Sequence, residues 1–134
     1  MILLDTSVLS AVLRRRKRGD VEEALATRLS SLLKSEEQVA VPGIVLQEVL
    51  SGVADQKQGE RVLAAVRESF PVMLATEGDH LKAADLGNLA ARKGVALSTP
   101  DALIAAQAFN RRASLFTTDG DFPRPAALAG LKIY

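Results

Sequence analysis

Four carboxylates lie directly after predicted strands or in the helices that neighbour them. Asp5 follows the first apolar run of the chain, and Asp119 follows a later run towards its C-terminal end. Glu48 lies in a helix predicted after a second apolar run, and Asp101 opens a helix that leads towards the run before Asp119. Because ligands of open α/β sheets bind outside the carboxyl ends of the strands, these acids can meet at one edge of a sheet.

Each of the four acids also has an interpretation that involves no chemistry. Asp5 is a residue type that caps helices, and Asp119 precedes Gly120 as in an ordinary turn. Asp101, in a first helical turn, would favour the helix dipole, and Glu48 would be a solvated helix residue. Taken alone, Asp5 fits either interpretation, and Asp119 fits a turn better than a site.

Helical spacing weakens the structural interpretation for Asp101 and Glu48. Asp101 heads an apolar stripe that should face the sheet. That stripe consists of Ile104, Ala105 and Ala108. Glu48 lies at the flank of the apolar face of its own helix. Acids are rarely buried without a partner, and no lysine or arginine is placed locally to pair with either residue.

A cluster of four carboxylates would need a cation, since like charges either raise the pKa values of some members or require neutralisation. With no histidine or cysteine in the cluster, an all-oxygen donor set favours Mg²⁺ or Mn²⁺ over zinc. Such sites cleave phosphodiesters, because the metal helps to generate hydroxide and stabilises charge on the phosphoryl oxygens. The sequence leaves open whether one ion or two bind.

The elements that must position these acids are short apolar runs that alternate with amphipathic stretches. The runs predict strands at 2–4, 39–41, 72–74, 115–117 and 131–134. The stretches predict helices at 6 to about 16, 20–33, 42–52, 60–69, 79–92 and 100–111. We expect Asp20 to cap the second helix and Pro42 to be the first residue of the third.

The alternation of strands and helices predicts an α/β fold. Specifically, we predict a three-layer α/β/α sandwich in which helices cover both faces of a central parallel sheet of about five short strands. The 134 residues fit one domain, placed at 1–134, since no repeat, low-complexity tract or linker interrupts the chain.

Composition limits the location and chemistry of the protein. The absence of cysteine excludes disulfides and zinc–thiolate sites. The N-terminal residues do not have the pattern of a signal peptide, and no apolar run is long enough to span a membrane. We therefore expect a cytoplasmic protein with no membrane partner.

The net charge of +1 conceals a basic surface. If the four acids are withdrawn into a metal site, 17 basic residues face 12 remaining acids, and the rest of the molecule stands at +5. A basic body around an acidic pocket suits a polyanionic substrate. Aromatic residues make up only 4% of the chain, so a platform that stacks several bases is not expected.

Four sequence motifs, in this order, resemble the successive motifs of PIN domains, and more narrowly those of VapC-type toxins of toxin–antitoxin systems. The motifs are Leu4-Asp5-Thr6-Ser7, Gln47-Glu48-Val49, Thr99-Pro100-Asp101-Ala102-Leu103-Ile104-Ala105 and Thr117-Thr118-Asp119-Gly120-Asp121-Phe122. Each motif alone is weak, whereas the four together at this chain length are specific. The resemblance covers essentially the whole chain.

The resemblance implies a Mg²⁺- or Mn²⁺-dependent endoribonuclease with one or two bound ions. By position, Asp5, Glu48, Asp101 and Asp119 match the catalytic acidic quartet of the family. The three aspartates would bind the metal directly, and Glu48 would bind it through water or orient the attacking water. Asp121 matches an accessory acidic position.

The resemblance also implies partners and neighbouring roles. Proteins of this type are usually homodimers neutralised by a small antitoxin, and their substrate is RNA. Thr6 and Thr118 would support the ligands or contact phosphate, although capping and turn bonds explain them equally well. Independently of the resemblance, the densest basic run of the chain has two interpretations of about equal weight: its residues Arg14, Arg15 and Arg16 would contact RNA at the rim of the site, or simply end a helix.

Three other functions compete with the toxin. A PIN nuclease with a housekeeping role in RNA processing would have the same acids but no neighbouring antitoxin gene. A phosphoacceptor receiver domain should have adjacent acids after its first strand and a lysine after its last, whereas Lys132 lies inside the last predicted strand. A module that binds RNA without cutting it would not need four intact acids.

The remaining histidine and aromatic residues favour structural roles. His80 is the only histidine and lies near a helix start, so we expect a surface residue rather than a catalyst. Phe109, Phe116 and Phe122 are expected in the core rather than against bases.

Overall fold

A computed structural model describes residues 1–13, 19–120, 122 and 130–134 of the chain. Its strands are β1 (Ile2–Leu4), β2 (Val39–Pro42), β3 (Val72–Met73), β4 (Ser114–Phe116) and β5 (Lys132–Ile133). Its helices are α1 (Thr6–Leu13), α2 (Asp20–Lys34), α3 (Gly43–Ser51), α4 (Gln56–Ser69), α5 (Glu77–Arg92) and α6 (Thr99–Asn110).

The five strands form one parallel sheet in the order β3-β2-β1-β4-β5. From β1 the chain adds β2 and then β3 towards one edge of the sheet. It then returns and adds β4 and β5 on the other side of β1, towards the opposite edge. Right-handed connections therefore place the helices before β3 and those after β3 on opposite faces. This confirms the predicted α/β fold and puts the topological switch point, where such sheets bind ligands, between β1 and β4.

The first strand is central and fully buried because its residues, Ile-Leu-Leu, are apolar on both faces of the sheet. Ile2 pairs with Val39 on one side and with Ser114 on the other. Leu4 pairs with Phe116, which is also completely buried. The carboxyl ends of β1 and β4 are thus held side by side.

Several predicted boundaries were wrong because capping and backbone geometry decided them. Asp20 is the first residue of α2 and follows Gly19, so it is not the cap. Pro42 has an extended backbone, with ψ 143°, pairs with Met73 and precedes α3 instead of starting it. Helix α4 starts at Gln56, four residues earlier than predicted, because the Asp55 carboxylate accepts a hydrogen bond from the backbone N of Gln58 at 2.8 Å.

The two helices that precede β4 begin at side-chain caps. Helix α5 begins two residues earlier than predicted, because Thr76 and Asp79 form a reciprocal capping box. It ends before Gly94, whose φ of +69° suits a glycine. Helix α6 is capped by Ser98, which accepts a hydrogen bond from the backbone N of Asp101 at 3.3 Å.

An ion pair joins the start of α5 to the end of α6. The Arg111 guanidinium donates from Nη1 to Oδ1 of Asp79 and from Nη2 to Oδ2, both at 2.9 Å. Asn110 donates to the same carboxylate, also at 2.9 Å. Because the Asp79 side chain is only 1% exposed, these donors replace the water that the carboxylate has lost.

The core confirms two of the three aromatic predictions. Phe116 and Phe122 are buried, whereas Phe109 is 38% exposed and is not a core residue. Phe109 lies in the last turn of α6, and the Lys82 ammonium is 4.0 Å from the centre of its ring. The Phe109 ring therefore makes a cation–π contact at the surface and is not packed in the core. His80 is exposed, as predicted.

The helices within the described residues include none that is long and apolar enough to cross a membrane.

Candidate active site

Asp5 is built into the junction between β1 and α1. Its backbone N donates to the carbonyl O of Phe116 at 3.0 Å, which extends the pairing of β1 with β4. Its carbonyl O accepts from the backbone N of Leu9 at 3.1 Å and so closes the first turn of α1. The side chain is only 3% exposed. Asp5 therefore holds the position of a helix cap and also places a buried carboxylate at the switch point of the sheet.

One oxygen of the Asp5 carboxylate is held by two hydroxyls. Oδ2 accepts hydrogen bonds from Ser7 Oγ and Thr117 Oγ1, each at 2.7 Å, and a longer one from the backbone N of Ser7 at 3.4 Å. Within the described residues, no donor is recorded for Oδ1. The carboxylate is thus fixed in orientation while one of its oxygens stays available to a ligand.

The same two hydroxyls extend the network to Asp119. Ser7 Oγ and Thr117 Oγ1 are 3.3 Å apart. Ser7 Oγ accepts from the backbone N of Thr118 at 3.0 Å, and Thr117 Oγ1 accepts from the backbone N of Asp119, also at 3.0 Å. The segment after β4 is therefore tied to the start of α1. Asp119 also occupies a turn, because its carbonyl O accepts from Phe122 N at 3.2 Å.

Glu48 reaches the site from α3, the helix that follows β2. Its side chain is half-buried, and Oε1 accepts a hydrogen bond from Thr6 Oγ1 at 2.9 Å. Thr6 is the residue after Asp5, so this bond connects the acid on α3 to the start of α1. It leaves Oε2 of Glu48 without a recorded partner among the described residues.

Asp101 completes the cluster from the first turn of α6. Burial raises the pKa of its carboxyl group above the ordinary value, and the nearby charges of Asp5, Asp119 and Glu48 raise it further. The hydrogen bond with Ser98 opposes these effects. Asp101 is therefore close enough to each of the other three predicted acids for their charges to act on it.

The donor atoms of these acids are of the type that binds a divalent cation, but the side chains are too far apart to coordinate one together in this structure. All four side chains are oxygen donors, and no ion pair with a basic residue is recorded for Asp5, Glu48 or Asp101 within the described ranges. No three acidic side chains of the described residues stand close enough to hold an ion together. A cation bound among these acids would offset the repulsion that Asp101 experiences from its neighbours.

The other predicted site residues have different outcomes. Thr6 contacts Glu48, as a supporting hydroxyl should, whereas Thr118 is exposed and joins the network through its backbone N. Asp121 and the basic residues lie outside the described residues. Those basic residues are Arg14, Arg15 and Arg16.

Sequence reasoning missed the parts played by Ser7 and Thr117. Both lie inside the motifs that carry the acids, but their hydroxyls were not distinguished from those of their neighbours. The first residue after β4 is the position at which the sheet-edge rule applies, and this would have pointed to Thr117. For Ser7, the signal is its position two residues after Asp5, a spacing typical of local side-chain bonds.

Comparison with a known sequence family gives a match over nearly the whole chain. The model of the PIN domain matches residues 2–128. No curated protein matches the sequence significantly.

Solved structures similar to this chain come from several bacteria. FitAcB from Neisseria gonorrhoeae is 26% identical with a TM-score of 0.80, and the match covers 100% of this chain and 96% of that one. VapBC2 from Rickettsia felis, solved bound to a promoter DNA fragment, is 21% identical with a TM-score of 0.82 and coverage of 100% and 98%. VapC20 from Mycobacterium tuberculosis, a toxin that cleaves the sarcin–ricin loop, is 20% identical with a TM-score of 0.71 and coverage of 92% and 94%.

Proposed function

This chain belongs to the PIN domain family, and from that premise we propose that it is a metal-dependent endoribonuclease of the VapC type, the toxin of a toxin–antitoxin pair. The observation that carries the proposal is the environment of Asp101, whose pKa is raised by burial and by three neighbouring acids. A carboxyl group whose pKa is raised by burial and by like charges is typical of functional sites.

The acids would divide into ligands and a water-orienting group. Asp5, Asp101 and Asp119 would hold Mg²⁺ or Mn²⁺, with Glu48 bound through water. The ion would supply charge stabilisation at the phosphoryl oxygens and lower the pKa of a bound water. The hydroxyls of Ser7 and Thr117 hold Oδ2 of Asp5 and leave Oδ1 for the ion.

Glu48 would orient the attacking water. Thr6 fixes Oε1 at 2.9 Å, so Oε2 can accept a hydrogen bond from that water and take up its proton. Thr6, which holds Glu48, directly follows Asp5 at the start of α1. The start of this helix therefore positions both acids.

Similar structures support the proposal of RNA as substrate and an antitoxin as partner. Among similar structures, one from Klebsiella pneumoniae is a toxin–antitoxin complex, VapBC-5 from Mycobacterium tuberculosis belongs to a family of toxin–antitoxin systems, and VapC20 is a toxin that cleaves the sarcin–ricin loop. We extend both properties to this chain and propose a small cognate antitoxin and a homodimeric toxin. The basic balance outside the acid cluster, +5, suits a polyanionic substrate.

The test is cleavage of a mixed RNA pool by purified protein with Mg²⁺ or Mn²⁺ and with EDTA. We expect metal-dependent cutting that Asp5→Asn abolishes. The matched control is Asp85→Asn, which removes an exposed acid of α5 and should cut normally. Full activity of Asp5→Asn, or cutting that EDTA does not stop, would refute the metal-site assignment.

The toxin role has a separate test. Expression of the wild-type chain should arrest growth of a bacterial host, and the antitoxin encoded beside it should restore growth and form a complex with the chain. A nuclease that cuts RNA in vitro but neither arrests growth nor has such a neighbour would be a housekeeping enzyme.

A further inference from the structure

Arg28, in the middle of α2, lies against two aromatic rings. Its Cζ atom is 4.7 Å from the centre of the Phe116 ring and 4.5 Å from the centre of the Tyr134 ring. The two rings are themselves in contact, with centres 5.0 Å apart and planes at 64°. Attraction between a guanidinium and ring faces at this distance holds a flexible side chain in place.

The Arg28 guanidinium is held without being neutralised. Within the described residues no acid pairs with Arg28 and no hydrogen bond from its nitrogens is recorded, although the side chain is exposed. Arg111 is the opposite case, since its N–H groups are occupied by the Asp79 carboxylate. Contact with ring faces leaves the N–H groups of a guanidinium, which point outwards in its own plane, able to bind an anion in bidentate fashion.

The position of Arg28 relates it to the acid cluster. Phe116 is the last residue of β4, and its carbonyl O accepts the hydrogen bond from Asp5 N at 3.0 Å. Tyr134 follows β5, and its backbone N donates to Leu115 O at 2.8 Å. Both rings therefore lie at the carboxyl ends of their strands, the edge at which the acids converge. The Arg28 guanidinium thus lies against the side chains of two residues at this end of the sheet, and one of them, Phe116, is bonded through its backbone to Asp5.

We propose that Arg28 binds a phosphate of the RNA strand as it crosses this edge of the sheet. The inference rests on the proposed nuclease function and adds to it a substrate-binding residue that the motifs do not contain. Phe116 and Tyr134 hold the guanidinium in place before RNA arrives, so little side-chain entropy is lost on binding. The contact is to the backbone of the RNA and carries no sequence preference.

The test uses the full-length protein and a fluorescent single-stranded RNA of mixed sequence. Arg28→Gln should raise KM about tenfold with kcat unchanged, since one charge-assisted contact is lost from substrate binding and not from the reacting group. In an Asp101→Asn background that binds without cutting, Arg28→Gln should also lower the slope of log Kd against log salt by about 0.7.

A control and a second variant keep the proposal falsifiable. Arg67→Gln removes an equally exposed arginine of α4 that has no ring contact in the described structure, and KM and the salt slope should not change. Arg28→Lys keeps the charge and should restore most of the salt slope. If Arg28 only anchors the last strand, Arg28→Gln will lower Tm and leave the salt slope intact.

Failure of the inference can be distinguished from failure of the function. Metal-dependent cleavage that is equal in wild type and Arg28→Gln would overturn the role of Arg28 and leave the nuclease standing. A wild-type protein that neither cuts nor binds RNA would overturn both.

Discussion

An aspartate lies near each end of helix α6, and the surroundings of the two carboxylates are opposite in character. Asp79, from α5, lies near the C-terminal end, and Asp101 lies in the first turn. Near its C-terminal end, the hydrogen bonds from Arg111 hold the pKa of Asp79 well below its usual range, although burial opposes them. In its first turn, burial and three other acids raise the pKa of Asp101. The two regions are separated by about 15 Å of helix. The comparison shows that the fold surrounds Asp79 with hydrogen-bond donors, whereas it surrounds Asp101 with other acids. Under the proposed function, a metal ion would neutralise the second environment.

The largest expected effect is on catalysis at the Asp101 end. Asp101→Asn should lower the cleavage rate by about a thousandfold or more, because a metal ion stabilises the transition state by several kcal/mol. Asp79→Asn should cut normally per folded molecule. Single-turnover cleavage of RNA by both variants, corrected for the folded fraction, checks the contrast. Equal losses in the two variants would abolish the distinction between the regions.

The next effect is on stability at the Asp79 end. Asp79→Ala should lower the free energy of unfolding by about 3 kcal/mol, because it leaves Arg111 partly buried without its acid and removes half of the capping box. Urea unfolding at pH 7 without metal measures it. The exposed Asp85→Ala on the same helix is the control and should change stability by less than about 0.5 kcal/mol. A loss below about 1 kcal/mol for Asp79→Ala would show that the pair is not structural.

A smaller effect concerns the hydroxyls that orient Asp5. Thr117→Val keeps the shape of the side chain but removes the 2.7 Å bond to Oδ2, so activity should fall about 10- to 100-fold, as for other groups that orient metal ligands. The metal dependence should shift to higher Mg²⁺ concentration. Thr118→Val, at the exposed neighbouring position, is the matched control. Equal activity of both variants would remove Thr117 from the site.

The Asp79 end should also determine part of the response to acid. Its folded pKa is depressed, so its stabilisation is fully present above the ordinary pKa, near 4, and is lost as the pH falls from there towards the folded pKa. The stability difference between wild type and Asp79→Asn should therefore be constant from pH 5 to 7 and shrink below about pH 4. Urea unfolding at each pH measures this, and a difference that grows in acid would contradict the depressed pKa.

The smallest effect has the opposite sign and belongs to the Asp101 end. Without metal, Asp101→Asn should raise the free energy of unfolding at pH 7 by up to about 1 kcal/mol, because it removes repulsion from three acids. Added Mg²⁺ should then raise the Tm of wild type more than that of the variant. Thermal unfolding with EDTA and with Mg²⁺ measures both, and a lower Tm for the metal-free variant would contradict the repulsion.

The sequence predicted the architecture because apolar runs and helical periodicity are repeated across the chain. It also predicted that four acids would meet at one sheet edge; the structure brings Asp101 within reach of the charges of the other three, and the metal site itself stays a prediction. Boundaries were harder, because a single side chain such as Asp55 or Thr76 decides where a helix starts. Pro42 shows the limit of residue preference, as proline suits both the first helical turn and an extended residue before it.

Contacts between distant residues were beyond sequence reasoning. Nothing local relates Arg111 to Asp79 or Thr117 to Asp5, because each pair is made by the packing of elements far apart in the chain. The prediction for Phe109 was wrong for the same reason. Its position in the sequence of α6 does not reveal that its ring lies at the surface beside Lys82. Tertiary packing assigns such partners, and residue type only makes them possible.

The hydroxyl network has a consequence for the timing of biosynthesis. Asp5 and Thr117, which it joins, are 112 residues apart in sequence. At about 5 to 20 residues per second, a ribosome takes roughly 6 to 22 s to travel from one to the other. During that interval the Asp5 carboxylate has been synthesised, but Thr117, whose hydroxyl orients it, and Asp119 have not. A nascent chain therefore has no complete site until Thr117 and Asp119 have been added, and a message cut short before the codon for Thr117 yields no assembled centre.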